Sequence, residues 1–223
     1  MSIADDPIQL AEVVRDRARQ FRALKLKLGS GNVDLDEALV ARAREAVPGV
    51  RLLADVNGGW SVADTLKMMR KLVRWRLELL EQPVHHEAGV EAWREIRAKR
   101  DSDAPPLVAD ESAQGAGDVA GLADLVAGVN VKLLKCGSLR GAAAMIRAAR
   151  QHRLGVLLGC MIESSIGVTA AAHLAPWADA IDLDGHLYVA NDDYDGLTYD
   201  AEGNLRMGEK PGIGVRRREE PRG

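Results

Sequence analysis

Residues 23–28 read Ala-Leu-Lys-Leu-Lys-Leu, a run in which leucine and lysine alternate. Side chains of a β-strand point alternately to its two faces, so Lys25 and Lys27 share one face and the leucines take the other. The leucine face suits packing against helices. In a closed α/β barrel the opposite face looks inward, which directs both lysines to the interior. On a half-exposed edge strand the same lysines are simply solvated. What the later strands carry decides between the two.

The later strands repeat the pattern. Arg51–Asp55 is apolar and ends in an acid. Leu79–Gln82 carries Glu81, and Leu107–Asp110 ends in an acid with Glu111 beyond it. Val129–Leu133 carries Lys132, Gly155–Leu158 is apolar throughout, and Ala180–Leu183 brings Asp182, with Asp184 next on the same face. Amphipathic stretches separate the strands. One covers about 35–47, behind a capping box of Asp34 and Glu37. Another starts near Ser61, with Leu66, Met69, Leu72 and Val73 on one side. Others cover about 90–99, 118–126, 139–152 and 166–174. A helix over about 7–21 and a short strand at 2–4 would precede them all.

Strand–helix alternation implies a parallel sheet. Eight such units predict an α/β fold of the (β/α)8 TIM-barrel type over residues 1–215, with 216–223 as a polar tail. A doubly wound sheet is the rival, but Gly29-Ser30-Gly31 lacks the GxGxxG spacing of its phosphate turn. Lys27, Asp55, Glu81, Asp110 and Lys132 follow at intervals of 22 to 29 residues, about one βα unit each. One ionisable residue thus sits at the C-terminal end of each successive strand, the face on which barrels build active sites.

The bulk composition narrows the partners. The formal net charge of the 223 residues is −3, without the basic footprint of a nucleic-acid binder. No apolar run approaches the roughly 18 residues of a membrane span, and the N-terminus has no signal-peptide pattern. The expectation is a cytoplasmic protein with a small-molecule substrate and no nucleic-acid or membrane partner. Cys136 and Cys160 show no CxxC spacing and read as buried cytosolic thiols.

Asp55, Glu81 and Asp110 come from successive strands, and no histidine or cysteine occupies a matching strand end. Hard oxygen donors with no soft one select Mg2+. Three converging anions repel strongly until a cation joins them. Lys27 and Lys132 lie at separated positions and could face each other across a ligand. Burial and neighbouring cations make a lysine a better base. Metal stabilisation of an enediolate makes removal of a proton α to a carboxylate feasible. A base on one side and an acid on the other invert the stereocentre.

Eight segments occur in order: LKLKLG (24–29), ADVNGGW (54–60), LEQPV (80–84), ADES (109–112), NVKLLKCGS (130–138), GCMIESSIG (159–167), DLDGHLYVANDDYDGL (182–197) and PGIG (211–214). Together they resemble the muconate-lactonizing subgroup of the enolase superfamily, and within it the dipeptide epimerases of the L-Ala-D/L-Glu type. The resemblance implies one Mg2+ held by Asp55, Glu81 and Asp110, and acid/base catalysis by Lys27 and Lys132. It implies Lys25 as a supporting lysine near the substrate carboxylate. It gives Asp182 and Asp184 to the substrate's α-ammonium group, a pairing that suits two acids on one face. Glu163 and Ser164 line the pocket or cap the following helix. Asn57 orders the Asp55 loop. Lys135 falls outside the lumen, and Cys136 and His186 carry no assigned chemistry. His85-His86 reads as a solvated pair.

Superfamily members carry an α+β capping domain before the barrel, and this chain is expected to lack it. A truncated reading frame, one piece of a split protein and a capless variant are the three explanations. A homo-oligomer or a separate capping chain are the corresponding protein partners. The leading function is an isomerase, a Mg2+-dependent dipeptide epimerase using two-lysine 1,1-proton transfer. The alternatives are o-succinylbenzoate synthase, N-acylamino-acid racemase or cycloisomerase chemistry on the same scaffold, and a non-catalytic barrel.

Overall fold

The computed structural model describes residues 4–218. Along the chain run α1 (Pro7–Arg17), β1 (Ala23–Lys27), α2 (Val33–Ala46), β2 (Arg51–Asp55), α3 (Val62–Leu72), β3 (Leu80–Glu81), α4 (Gly89–Lys99), β4 (Leu107–Ala109) and α5 (Ala116–Leu122). There follow β5 (Gly128–Lys132), α6 (Leu133–Cys136), α7 (Leu139–Gln151), β6 (Gly155–Gly159), α8 (Ser165–Ala172) and β7 (Ala180–Asp182). Four two-residue strands complete the chain: β8 (Tyr194–Asp195), β9 (Thr198–Tyr199), β10 (Leu205–Arg206) and β11 (Arg216–Arg217). The residues sort into two compact units, one reaching to Ser112 and including Gly121–Gly128, the other formed by Ala113–Ala120 and the residues from Val129 on.

In the first unit β1, β2, β3 and β4 pair in parallel in that order. The register sets Lys27 opposite Asp55 and Asp55 opposite Glu81. The charged ends of three strands therefore stand side by side. Leu24, Leu26 and Leu28 are buried, as the alternation in β1 requires of its apolar face. Helix α3 buries Met68, Met69 and Leu72, and α4 buries Trp93 and Ile96. Helix α2 turns Asp36, Leu39, Val40 and Ala43 inward, an i, i+3, i+4, i+7 stripe that contains an acid.

The loops after β1 and β2 meet where neither residue has a side chain. Gly29 has φ +84°, and a Cβ there would lie 2.3 Å from the Val56 carbonyl oxygen. A Cβ on Gly59 would lie 2.7 Å from the Gly29 Cα.

In the second unit β5, β6 and β7 follow in order, with β6 and β7 paired in parallel. Helix α7 buries Ala142, Met145, Ile146 and Ala149. Asp192 accepts the Ser165 N–H at 2.6 Å and so caps the first turn of α8 from 27 residues downstream. Thr169 Oγ1 accepts the Leu197 N–H at 2.7 Å.

One reading from sequence needs correction, and two others meet the structure only in part. Asp34 does not cap α2: Asn32, in extended backbone, accepts the N–H groups of Asp34 and Leu35. Asp34 and Glu37 instead pair with Lys71, and Glu37 also with Arg74. The segment read as a polar tail begins as a strand, for Arg216–Arg217 pairs antiparallel with Tyr194–Asp195, and Arg216 and Arg218 both bind Asp195. Residues 219–223 lie outside the described residues. So do Ser2 and Ile3 of the expected strand at 2–4, while Ala4 belongs to no element.

Asn32→Ala should cost about 1 kcal/mol of stability, the usual worth of a helix N-cap. Asp34→Ala should stay within about 0.5 kcal/mol, because its ion pairs are exposed. Urea melts of the two variants check both values.

Candidate active site

In the first unit Asp55, Glu81 and Asp110 are wholly buried, each with an oxygen within 4.8 Å of the others. Lys27 Nζ donates to Asp55 Oδ2 at 2.6 Å and to Asn57 Oδ1 at 3.0 Å. Lys25 Nζ donates to Glu81 Oε2 at 3.0 Å and lies 3.8 Å from Asp55 Oδ2. Three carboxylates against two ammonium groups leave these five side chains one negative charge in excess. Burial, proximity and an all-oxygen donor set fit a hard divalent cation, which such a cluster could hold. Asn57, at φ +47°, donates its N–H to Asp55 Oδ1 at 2.9 Å and its amide to Glu111 Oε1 at 3.0 Å.

Two further polar side chains knit the loops around these acids. The Asp36 carboxylate, buried on the core face of α2, needs donors to replace water. It takes the N–H groups of Gly29 and Ser30 at 3.1 and 3.2 Å and the Trp60 indole N–H at 2.7 Å. The Gln82 amide is also wholly buried. Its oxygen accepts the Asp110 and Ser112 N–H groups at 2.9 and 3.1 Å. Its nitrogen donates to the Val84 carbonyl at 2.7 Å and to Ser112 Oγ at 2.8 Å. Sequence reasoning passed over both. For Asp36 the signal was an acid on an apolar stripe. For Gln82 it was an amide between a strand-ending acid and a proline.

In the second unit Lys132 is buried at 4% exposure at the end of β5. Lys135 is turned to backbone, donating to the carbonyls of Ala113 and Asn130 at 3.0 and 2.9 Å. Glu163 Oε1 accepts the Met161 N–H at 3.1 Å. Its other oxygen lies where a Gly167 Cβ would intrude to 2.0 Å. Burial pushes the Glu163 carboxyl above its ordinary range, while the Met161 N–H and the charge of Lys132 pull the other way. Ser164 occupies the N-cap position of α8 but its side chain makes no capping bond.

Asp182 ends β7 and Asp184 follows it. Asp184 Oδ2 accepts the Tyr188 hydroxyl at 3.2 Å. The Cys160 thiol donates to the Asp182 carbonyl at 3.4 Å and accepts the Gly185 N–H at 3.3 Å. Burial, then the charge of Asp182, pushes that thiol up to about 12, which makes it inert as a nucleophile. Burial and then Asp184 and Asp182 raise the Tyr199 hydroxyl as well. Burial lowers His186, against the charge of Asp184. Both aspartates thus act electrostatically on one group of side chains.

The strand-end chemistry defines a class, an α/β protein with a carboxylate cluster and lysines at the C-terminal ends of parallel strands. The family follows from comparison: residues 9–221 match the model of the enolase C-terminal domain-like family, and the chain belongs to that family. Its fold class is the TIM-type α/β barrel. A hydrophobic dipeptide epimerase of Roseobacter litoralis is 37% identical over 211 residues, covering 91% of this chain and 60% of that protein. A dipeptide epimerase of Cytophaga hutchinsonii, solved with Mg and the dipeptide D-Ala-L-Val, superposes with a TM-score of 0.89 at 28% identity, over 97% of this chain and 60% of its own. An N-succinyl Arg/Lys racemase of Bacillus cereus gives a TM-score of 0.88 at 31% identity, over 98% of this chain and 59% of its own. The chain spans about 60% of the length of these relatives. No helix among the described residues is long and apolar enough to cross a membrane.

A divalent cation held by this cluster should raise the stability of the chain, by about 2.7 kcal/mol at a hundredfold excess over Kd. Asp110→Asn should abolish most of that gain. Thermal melts with Mg2+ and with chelator read both effects. Glu163 supplies a pH test. Because its folded pKa is raised above the ordinary 4.5, its contribution to stability is full below that value and is lost as pH rises through the folded one. Glu163→Gln should therefore gain on the wild type as pH climbs from 4.5 towards neutrality, as measured by urea melts.

Proposed function

We propose that the protein carrying these residues is a cytoplasmic Mg2+-dependent isomerase that inverts the α-carbon of the C-terminal residue of a small dipeptide. The observation that carries the reading is the buried cluster of Asp55, Glu81 and Asp110 with the Lys27 ammonium 2.6 Å from Asp55. Those three carboxylates would hold the ion. When bound, it supplies Lewis-acid stabilisation of charge developing on the substrate carboxylate.

The chain's own groups do the rest. Lys27 and Lys132 act as the acid/base pair. One takes the α-proton as a neutral amine, and the other, as an ammonium, returns a proton to the opposite side of the same carbon. The reaction is an isomerisation with no net gain or loss of protons. Lys25 supports the substrate carboxylate. Asp182 and Asp184 bind the substrate's free α-ammonium group, and charge-assisted bonds of that kind orient a small ligand strongly. Glu163 and Ser164 line the pocket.

The likeness to the N-succinyl Arg/Lys racemase favours one second reading, racemisation of an N-acylated amino acid. Such a substrate has no free ammonium, so the aspartate pair would be idle. Asp184→Asn separates the two readings. It should cut dipeptide turnover at least tenfold and leave N-acylamino-acid turnover unchanged.

The main test is α-proton exchange in D2O, followed by NMR on the intact gene product with Mg2+ and a panel of dipeptides. Exchange with inversion is expected. Lys27→Ala and Lys132→Ala should each lower turnover by about 10²–10⁴, the usual worth of a positioned acid or base. Absence of exchange with every dipeptide rejects the reading.

A further inference from the structure

We propose that Gln82 is the positioning residue of the cation site, setting the placement of Glu81 against Asp110. The inference rests on the reading of Asp55, Glu81 and Asp110 as cation ligands. Gln82 follows Glu81 directly in the chain, and its side-chain oxygen holds the main-chain N–H of Asp110 at 2.9 Å. One amide therefore ties the backbone beneath one acid to the backbone beneath another. It does so without touching the acids' own oxygens through its side chain.

Its orientation is fixed by its partners. The oxygen faces two N–H donors, and the nitrogen faces a carbonyl and a hydroxyl, so a flipped amide would set its nitrogen against two N–H groups and its oxygen against a carbonyl. Four bonds satisfy the side chain completely within a buried setting, where each is stronger than in water. Ser112 Oγ also accepts the Trp93 indole N–H at 3.2 Å, so the amide is braced from α4.

The backbone shows what this placement costs. Gln82 sits at φ +37°, in the left-handed region that residues with a side chain rarely adopt. Glycine would relieve that conformation, yet glycine has no amide to span β3 and β4. The Gln82 N–H still donates to the Val108 carbonyl at 2.8 Å, and its own carbonyl accepts the Gly58 N–H at 2.7 Å. Gln82 thus touches, through main chain and side chain, the loops that follow β2, β3 and β4. Ligands fixed in advance bind a small cation more tightly than ligands that must be gathered, and partners of metal ligands are worth about 10–100-fold in affinity.

The test is Mn2+ binding to the whole chain, read by electron paramagnetic resonance and without any turnover. Gln82→Met keeps the volume and removes all four bonds. It should weaken Mn2+ binding at least tenfold. Gln82→Asn keeps an amide one methylene too short to reach both strands, and should weaken binding at least threefold if the methionine variant does not fold. The control is Arg44→Met. It removes bonds to the carbonyls of Val50, Trp75 and Arg76, which precede β2 and β3 at the ends opposite Asp55 and Glu81, and should lower the melting temperature with Mn2+ affinity unchanged. Wild-type affinity, within twofold, in a folded Gln82 variant overturns the positioning role. An equal loss in Arg44→Met overturns it too, by showing that general loosening suffices. If the wild-type chain binds no Mn2+ at all, the cation-site reading itself fails and this inference falls with it.

Discussion

Mutual repulsion of three buried carboxylates is the constraint around which the first unit is built. Two unit charges at about 4.8 Å repel by about 3 kcal/mol even at an effective dielectric of ~20. Left to relax, the strand ends carrying Asp55, Glu81 and Asp110 would part. Parallel pairing of β2 with β3 and β3 with β4 holds two of the three spacings through main-chain bonds. Lys25 and Lys27 offset much of the charge. The loops beyond the strands are tied in series: Asp36 to Trp60, Trp60 to the Pro83 carbonyl, and Gln82 to Asp110 and Ser112. A centre of this kind has its electrostatic work done during folding rather than at ligand arrival.

The opposite ends of the strands are held by different chemistry. Arginines from the later turns of helices reach carbonyls in the loops that lead into strands. Arg44 of α2 binds Val50, Trp75 and Arg76, Arg97 of α4 binds Asp124, and Arg150 of α7 binds Trp177 and the Asp179 carboxylate. Cations near helix C-termini are favoured by the helix dipole as well. Barrel folds commonly divide stability and chemistry between their two faces in this way, and here the division is visible in residue type. Arginine and carbonyl serve one end, carboxylate, lysine and amide the other.

Much of this was legible in the sequence, for identifiable reasons. The strand–helix alternation was readable because the strands are short apolar runs, and most of them carry a charged residue at the C-terminal end. The cluster was readable because βα spacing brings those places into line. Other features came from contacts distant in sequence or from competition between neighbours. Asn32 outcompetes Asp34 as cap because its backbone is extended and its side chain reaches two N–H groups. The α8 cap comes from Asp192, and no local pattern points across 27 residues. The Arg216–Arg217 strand reads as a solvated charge run until Asp195 supplies its partner. Asp36 and Gln82 were hidden because their function is to satisfy buried backbone, which composition and period do not display.

The contact of Gly29 with Gly59 limits how such a protein can diversify. Two backbones touch there with nothing between them, so neither position can accept a larger residue without moving the chain that bears Lys27 or Asp55. That corner is closed to tuning by substitution. A lineage changing its preferred ligand must vary other parts of the molecule, and a protein engineer seeking a new selectivity should leave both glycines untouched and randomise elsewhere.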